Sequence, residues 1–137
     1  MSDYRVLKLK EFDREGVRRL LLDAGWGNYA DKIDKVAKGA SKSLALYGAF
    51  YKEELVGYAR VVGDGFTIIY IQDIVVLKTH KRNGIGKRLV DTILDEFKDV
   101  RQKVLITDNN PESVGFYKSC GFIESNSMNI VSFVRFD

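Results

Sequence analysis

The sequence predicts an α/β domain of the α+β kind: a mixed, mostly antiparallel sheet flanked by helices. Three observations carry that prediction. Short turns at Lys52-Glu53-Glu54 and Gly63-Asp64-Gly65 join three strand-like apolar runs, the mark of antiparallel hairpins. From Thr67 to Thr107 the pattern is strand, helix, strand, which calls for a right-handed crossover between parallel strands. Finally, 137 residues with 45% hydrophobic and 30% charged side chains suit one core, so residues 1–137 read as a single domain.

The elements follow in order. Tyr4 to Leu9 alternates as a first strand. Asp13 caps a helix with Val17, Leu20, Leu21 and Ala24 on one face, ending near Gly25. A second helix is expected over Tyr29 to Lys38, with Ile33, Val36 and Ala37 inward. Leu44–Tyr51 and Leu55–Val62 form a hairpin. Thr67–Leu77 is β-branched rather than alternating, which predicts a central strand covered on both faces. Ile85, Leu89, Val90, Ile93, Leu94 and Phe97 recur at helical spacing between Gly84 and Lys98. Val104–Thr107 is a short strand, and Asn110-Pro111 opens a last helix that Gly121 ends. Phe122–Glu124 and Met128–Phe136 are expected as a closing antiparallel pair.

Composition narrows the function classes. No apolar run approaches the roughly 20 residues of a membrane span, and the start lacks a signal-peptide core. One cysteine, Cys120, forbids an internal disulfide, and a cytoplasmic location is expected. A net charge of +3 gives no case for nucleic acid. The basic cluster between Lys78 and Arg88 has a local explanation instead.

That cluster sits where a strand ending Ile74-Val75-Val76-Leu77 passes through Lys81-Arg82-Asn83-Gly84-Ile85-Gly86-Lys87-Arg88 into a helix. N–H groups at a helix start lack intrahelical partners and carry positive potential, and glycines let a phosphate approach the backbone. The spacing fits neither a Walker A loop nor a dinucleotide fingerprint, because Arg88 and Leu89 stand where those motifs need other residues. Parallel strands place their carboxyl ends at one sheet edge, so the glycine loop and Thr107–Asn110 are expected to face one crevice.

Two segments then point to a family. Lys81–Gly86 resembles the Gln/Arg-x-x-Gly-x-Gly/Ala loop of the GNAT superfamily of acyl-CoA-dependent N-acyltransferases. Asn110-x-x-Ser113-x-x-Phe116-Tyr117-x-x-x-Gly121-Phe122 resembles that family's second motif, usually Asn-x-x-Ala-x-x-Phe-Tyr-x-x-x-Gly-Phe. The element order matches over essentially the whole chain. Lys81 and Ser113 depart from the pattern; lysine keeps the charge but not the bidentate fork of arginine.

The resemblance implies acetyl-CoA as donor and no metal. It assigns the pyrophosphate to Arg82, Asn83, Gly84, Gly86 and Lys87. It also implies a parallel strand pair splayed around the cofactor, with the pantetheine arm along the backbone of Ile74, Val75 and Val76 and bonded by Asn110. Transfer would be direct, with an N–H near Val75 toward the oxyanion and Tyr117 as general acid to the departing thiolate. Asp73 is the favoured general base; His80, expected to be solvated beside the phosphate loop, ranks behind it. An ordinary hydrogen-bonded strand residue is an equal reading of Asp73. The acceptor side is expected to use Trp26, Tyr29, Tyr58, Phe66 and Tyr70, with Asp64 and Asp73 as ammonium partners, which suits a small primary amine. A protein or peptide N-acetyltransferase and a non-catalytic acyl-CoA sensor are the alternatives, and a homodimer through the C-terminal strands is an expectation by family analogy.

Overall fold

Hairpins built from β-branched and aromatic residues dominate the sheet. The computed structural model describes residues 3–137. Strands β1 (Tyr4–Leu9), β2 (Ala45–Tyr51), β3 (Glu54–Gly63), β4 (Ile68–Val76) and β5 (Gln102–Leu105) lie side by side in chain order. The first four pair antiparallel, and β4 with β5 is the parallel pair. The helices are α1 (Arg14–Asp23), α2 (Gly27–Ala30), α3 (Ile33–Ser41), α4 (Ile85–Glu96) and α5 (Pro111–Ser119). The chain divides into two compact units, residues 1–106 with the sheet and α1–α4, and residues 107–137 with α5. None of the helices is long and apolar enough to cross a membrane among the described residues.

In the first unit the two faces of the sheet are covered by different helices. Ile85, Leu89, Val90 and Ile93 bury the apolar stripe of α4. A Cβ placed on Gly57 of β3 would stand 3.1 Å from Ile85 Cγ2 and 3.3 Å from Leu89 Cδ1, so the missing side chain lets helix and sheet close up. On the opposite face α1 buries Val17, Leu20 and Leu21, and the Asp13 carboxylate accepts from Gly16 N at 2.9 Å as the expected cap. Burial of such stripes contributes about 1.5–3 kcal/mol per large aliphatic side chain, more than any cap.

Three expectations change. The helix expected over 29–38 is two, α2 and α3, because the backbone leaves helical angles at Lys32. Second, β4 is the expected inner strand but carries an irregularity. Arg60 pairs with Asp73 while Val61 pairs with Ile71, so Gln72 is an extra residue, a β-bulge. Cross-strand partners share a face. Ile71 therefore joins Val61 on the α4 side, whereas Asp73 joins Arg60 and Tyr58 on the other. Third, the closing strands do not form: Ser125–Met128 is a 3₁₀ turn, and the residues after it enter no ladder.

Candidate functional site

The site is built around the carboxyl end of β4. Parallel pairing runs from Ile68·Gln102 to Ile71·Leu105 and stops there. From the Gln72 bulge onward, Asp73–Val76 pairs with β3 alone, through Tyr58·Val75 and Gly57·Val76. Half of β4 thus has no β5 neighbour, and its Ile74, Val75 and Val76 backbone runs along a splayed edge that an extended, amide-bearing ligand can join as a strand.

The loop that leaves this strand is braced from several sides. Leu77 N donates to Val56 O at 2.9 Å, and Lys78 N donates to the Asp23 carboxylate at 2.8 Å. The Asn83 side chain donates to the carbonyls of His80 and Lys81, at 3.0 and 3.3 Å. His80 is not simply solvated: its Nδ1 lies 2.9 Å from the Tyr4 hydroxyl, and its ring packs against Tyr4 and Tyr51. These contacts fix the base of the loop while Lys81, Arg82, Asn83 and Gly84 stay exposed.

Gly84 is the N-cap of α4, in the left-handed region at φ 76°, and no side chain caps the helix there. Space around it is open, so glycine is needed for its dihedral rather than for clearance. Arg82 is also left-handed, at φ 67°. The first N–H groups of an uncapped helix lack intrahelical partners, and α4 is twelve residues long, enough for a full dipole. Gly86 and Lys87 occupy its first turn, with the Lys87 ammonium 3.0 Å from Asp91 one turn on. A diphosphate fits this donor set.

On the α1–α3 side of the sheet lies a polar cluster. Arg60 Nε donates to Asp73 Oδ2 at 2.9 Å, Nη1 to the Ser43 hydroxyl at 3.1 Å, and Nη2 to the Tyr29 hydroxyl at 3.2 Å. Tyr29 in turn donates to Asp73 Oδ2 at 3.2 Å. Burial, then the neighbouring Asp73 charge, raises the Tyr29 hydroxyl above its ordinary range, and the same two causes raise Tyr70. Tyr58 is fully buried, its ring edge-on to Phe12 at 6.0 Å, and its hydroxyl has no hydrogen-bond partner among the described residues. Asp73 was expected as general base. Its Oδ2 accepts from Arg60 and Tyr29 within a buried ion pair.

The other expected acceptor residues divide. Tyr29, Tyr58, Tyr70 and Asp73 gather on or beside this cluster, and Trp26 precedes α2 with its ring partly exposed. Asp64 does not join them. Its carboxylate accepts from the amides of Phe66, Thr67 and Ile68 and from the Thr67 hydroxyl, closing the β3–β4 turn, and these bonds hold its pKa well below the usual carboxylate range. Phe66 projects into solvent at the same turn. Arg60 was missed by the sequence reading. A lone arginine inside Val56–Val62 was the available signal, since a buried charge needs a partner.

The second unit, taken by itself, carries Asn110 and Tyr117. Asn110 Oδ1 accepts from Ser113 N at 2.8 Å as the cap of α5, so toward a ligand it has its amide donor to offer. Tyr117 is half-buried with its ring edge-on to Phe116 at 4.9 Å and to Phe122 at 6.1 Å. Burial, with a smaller contribution from Cys120, pushes its hydroxyl up to about 12, so it carries its proton at neutral pH.

Comparison with known proteins agrees with this geometry. The model of the acetyltransferase (GNAT) family matches residues 9–122, and the chain belongs to that family. A GNAT family acetyltransferase from Streptococcus pneumoniae superposes with a TM-score of 0.87 at 30% identity, covering 98% of both chains. An uncharacterized ycf52-like N-acetyltransferase from Prochlorococcus marinus is 30% identical over 127 residues, 88% of this chain and 66% of its own. Glucosamine 6-phosphate N-acetyltransferase 1 of rice is 32% identical over 98 residues, 71% of this chain and 56% of its own. The chain therefore spans between about half and two thirds of the length of these two curated relatives.

Proposed function

We propose that the protein is an N-acetyltransferase that moves an acetyl group directly from acetyl-CoA to the primary amine of a small molecule. The observation that carries this reading is the conjunction, on one strand, of the splayed Asp73–Val76 backbone and the uncapped, glycine-turned start of α4. A strand-adding site that leads into a diphosphate site has the shape of a pantetheine–nucleotide ligand, and neither half alone selects one.

Bound acetyl-CoA supplies an activated thioester carbonyl. The backbone donors of Arg82–Lys87 hold its diphosphate, and the Ile74–Val76 backbone aligns the arm with an N–H near Val75 toward the developing oxyanion. As the amine nitrogen bonds to the carbonyl carbon and the C–S bond breaks, Tyr117 donates its proton to the sulfur. Asn110 donates its amide to the arm. Arg60 and Asp73 orient Tyr29, and the amine is deprotonated by solvent or by a group outside this buried pair.

For the acceptor, the cluster of Tyr29 and Tyr70 near the buried Tyr58 and Asp73 favours a compact amine. The rice relative's name, a glucosamine 6-phosphate N-acetyltransferase, supports an acceptor of that size. The test is release of free thiol from acetyl-CoA against a panel of amino sugars, aminoglycosides, polyamines, amino acids and peptides. Turnover confined to small amines is expected. Tight coenzyme A binding with no turnover on any acceptor overturns catalysis in favour of a sensor, and turnover confined to peptides overturns the small-molecule reading.

A further inference from the structure

Asp23 closes α1, and its carboxylate stands at the negative end of the helix dipole, where no basic side chain occupies the last turn. The helix end is capped without it. Gly25, at φ 82°, donates its N–H to Leu22 O at 3.1 Å, and Trp26 N donates to Leu21 O at 2.8 Å, which satisfies the terminal carbonyls as a Schellman motif. A charge that opposes its own helix and caps nothing there points to a partner elsewhere. That partner is Lys78 N, 55 residues on, which donates to Asp23 Oδ2 at 2.8 Å. Lys78 opens the 3₁₀ turn Lys78–His80, whose own N-cap, Leu77, has no capping side chain.

The bond joins the two sides of the site. Lys78 is the root of the donor loop, one residue beyond Leu77, whose N–H still bonds to β3. On the acceptor side the Trp26 carbonyl accepts from Tyr29 N at 3.1 Å and Ala30 N at 2.9 Å, so α2 follows α1 without a free joint. Ala30 is buried, and the Tyr29 hydroxyl reaches back to Asp73 Oδ2 at 3.2 Å. A closed frame results: it runs along the splayed strand from Asp73 to Lys78 and returns through Asp23, Trp26 and Tyr29. Buried Val17, Leu20 and Leu21 seat α1 on the sheet, whereas Gly25, Trp26 and Asn28 are exposed. A shift of Lys78 is therefore taken up in the turn after α1. A longer route, from His80 through Glu54 to Arg19, meets α1 at mid-helix, but Arg19 and Glu54 are nearly half exposed and such pairs couple weakly.

We infer that Asp23 is a positioning residue that ties the donor loop to the acceptor-side turn, so that a diphosphate held at Arg82–Lys87 sets the placement of Trp26 and Tyr29. The inference rests on the reading of that loop as the coenzyme A site. A ligand shifts a structure only through differential affinity, and a diphosphate has it for a loop whose N–H groups converge. Lys78 N belongs to the same backbone and carries the shift to Asp23.

Trp26 is the single tryptophan of the chain, so tryptophan emission reports on this turn alone. The test titrates the full chain with coenzyme A, following binding by calorimetry and Trp26 by fluorescence. The wild type is expected to bind, with a saturable Trp26 change in step with the heat. Asp23→Ala is expected to bind about fivefold more weakly and to lose most of the Trp26 change at saturation. Asp23→Asn keeps an oxygen acceptor for Lys78 N and is expected to restore most of it. No heat of binding in the wild type refutes the donor site, and the inference with it. Binding without a Trp26 change, or a full change in Asp23→Ala, overturns the inference alone. So does an asparagine variant as silent as the alanine one. An Asp23→Ala chain with native circular dichroism and no remaining affinity also overturns it, because Asp23 would then belong to the binding site rather than link it to the turn.

Discussion

Arg60 Nε donates to Asp73 Oδ2 at 2.9 Å across the β3–β4 ladder, with their side chains only 12% and 4% exposed. The pair exists because the Gln72 bulge rotates Asp73 off the α4 face and onto the face that carries Arg60. Neither charge has enough water to stand alone, so each depends on the other and on Tyr29 and Ser43 for its hydrogen bonds.

Removing one member should therefore cost far more than removing both. Asp73→Ala leaves a buried guanidinium uncompensated, and about 3–5 kcal/mol of stability is expected to go with it. For a domain of this size that lowers the thermal midpoint by roughly 10 °C or more. Arg60→Met combined with Asp73→Leu is expected to recover most of the loss, which a double-mutant cycle measures directly. If Asp73→Asn instead kept its midpoint and lost nearly all turnover, Asp73 would be a proton acceptor and not a positioning residue.

Gly84 makes the opposite case, where a backbone dihedral matters and packing does not. At φ 76° with open space around it, an alanine is strained by about 1–2 kcal/mol but meets no neighbour. The loop is expected to relieve that strain by changing the direction of its N–H groups. Gly84→Ala should raise the KM for acetyl-CoA about tenfold while the thermal midpoint falls by only a few degrees. An unchanged KM would mean that the start of α4 does not bind the diphosphate.

How much of this was legible in the sequence depends on whether the cause was local. Asp13, Asn110 and the turn at Asp64 act within four residues, and the first two were readable as caps. The glycine loop was equally readable, because an uncapped helix start after a strand is a short-range pattern. The bulge at Gln72 was not, since it is defined by register against β3. With the bulge hidden, the pairing of Asp73 with Arg60 went unnoticed. The closing strands are a different case: Met128–Phe136 has strand propensity, but among the described residues it enters no ladder.

Tyr117 carries the proposed proton transfer, and its hydroxyl stays protonated up to about 12. Tyr117→Phe keeps the ring packed on Phe116 and Phe122 and removes only the proton. Turnover is expected to fall at least tenfold, with coenzyme A affinity altered less than about twofold. Because deprotonation of Tyr117 inactivates the enzyme only near its raised value, the wild-type kcat profile should show no alkaline fall from this residue below about pH 11. Full turnover in the phenylalanine variant would assign the thiolate's proton to solvent.

Alkaline pH should also unfold the protein through its tyrosines. Burial raises Tyr47 and Tyr58 well beyond their ordinary value of 10.0, with Glu96 adding to the effect on Tyr47 and Asp73 to that on Tyr58. A raised folded-state value means that stability is fully present below pH 10 and drains away as pH climbs from there toward the folded value. Each buried tyrosine that the unfolded chain ionises and the native one does not contributes a slope of about 1.4 kcal/mol per pH unit. Two fully buried rings give about 3 kcal/mol per unit, with smaller additions from the more exposed Tyr29 and Tyr70. Thermal midpoints should be flat from pH 8 to 9.5 and fall steeply above pH 10, with tyrosinate absorbance rising in step with unfolding. The two rings are separable. Tyr47→Phe loses the hydrogen bond to Glu96 and should destabilise the protein at neutral pH. Tyr58→Phe removes an unpartnered buried hydroxyl, so it should leave neutral stability equal or higher while taking one proton out of the alkaline slope. A marked loss at pH 7 in Tyr58→Phe would show that this hydroxyl is satisfied in solution.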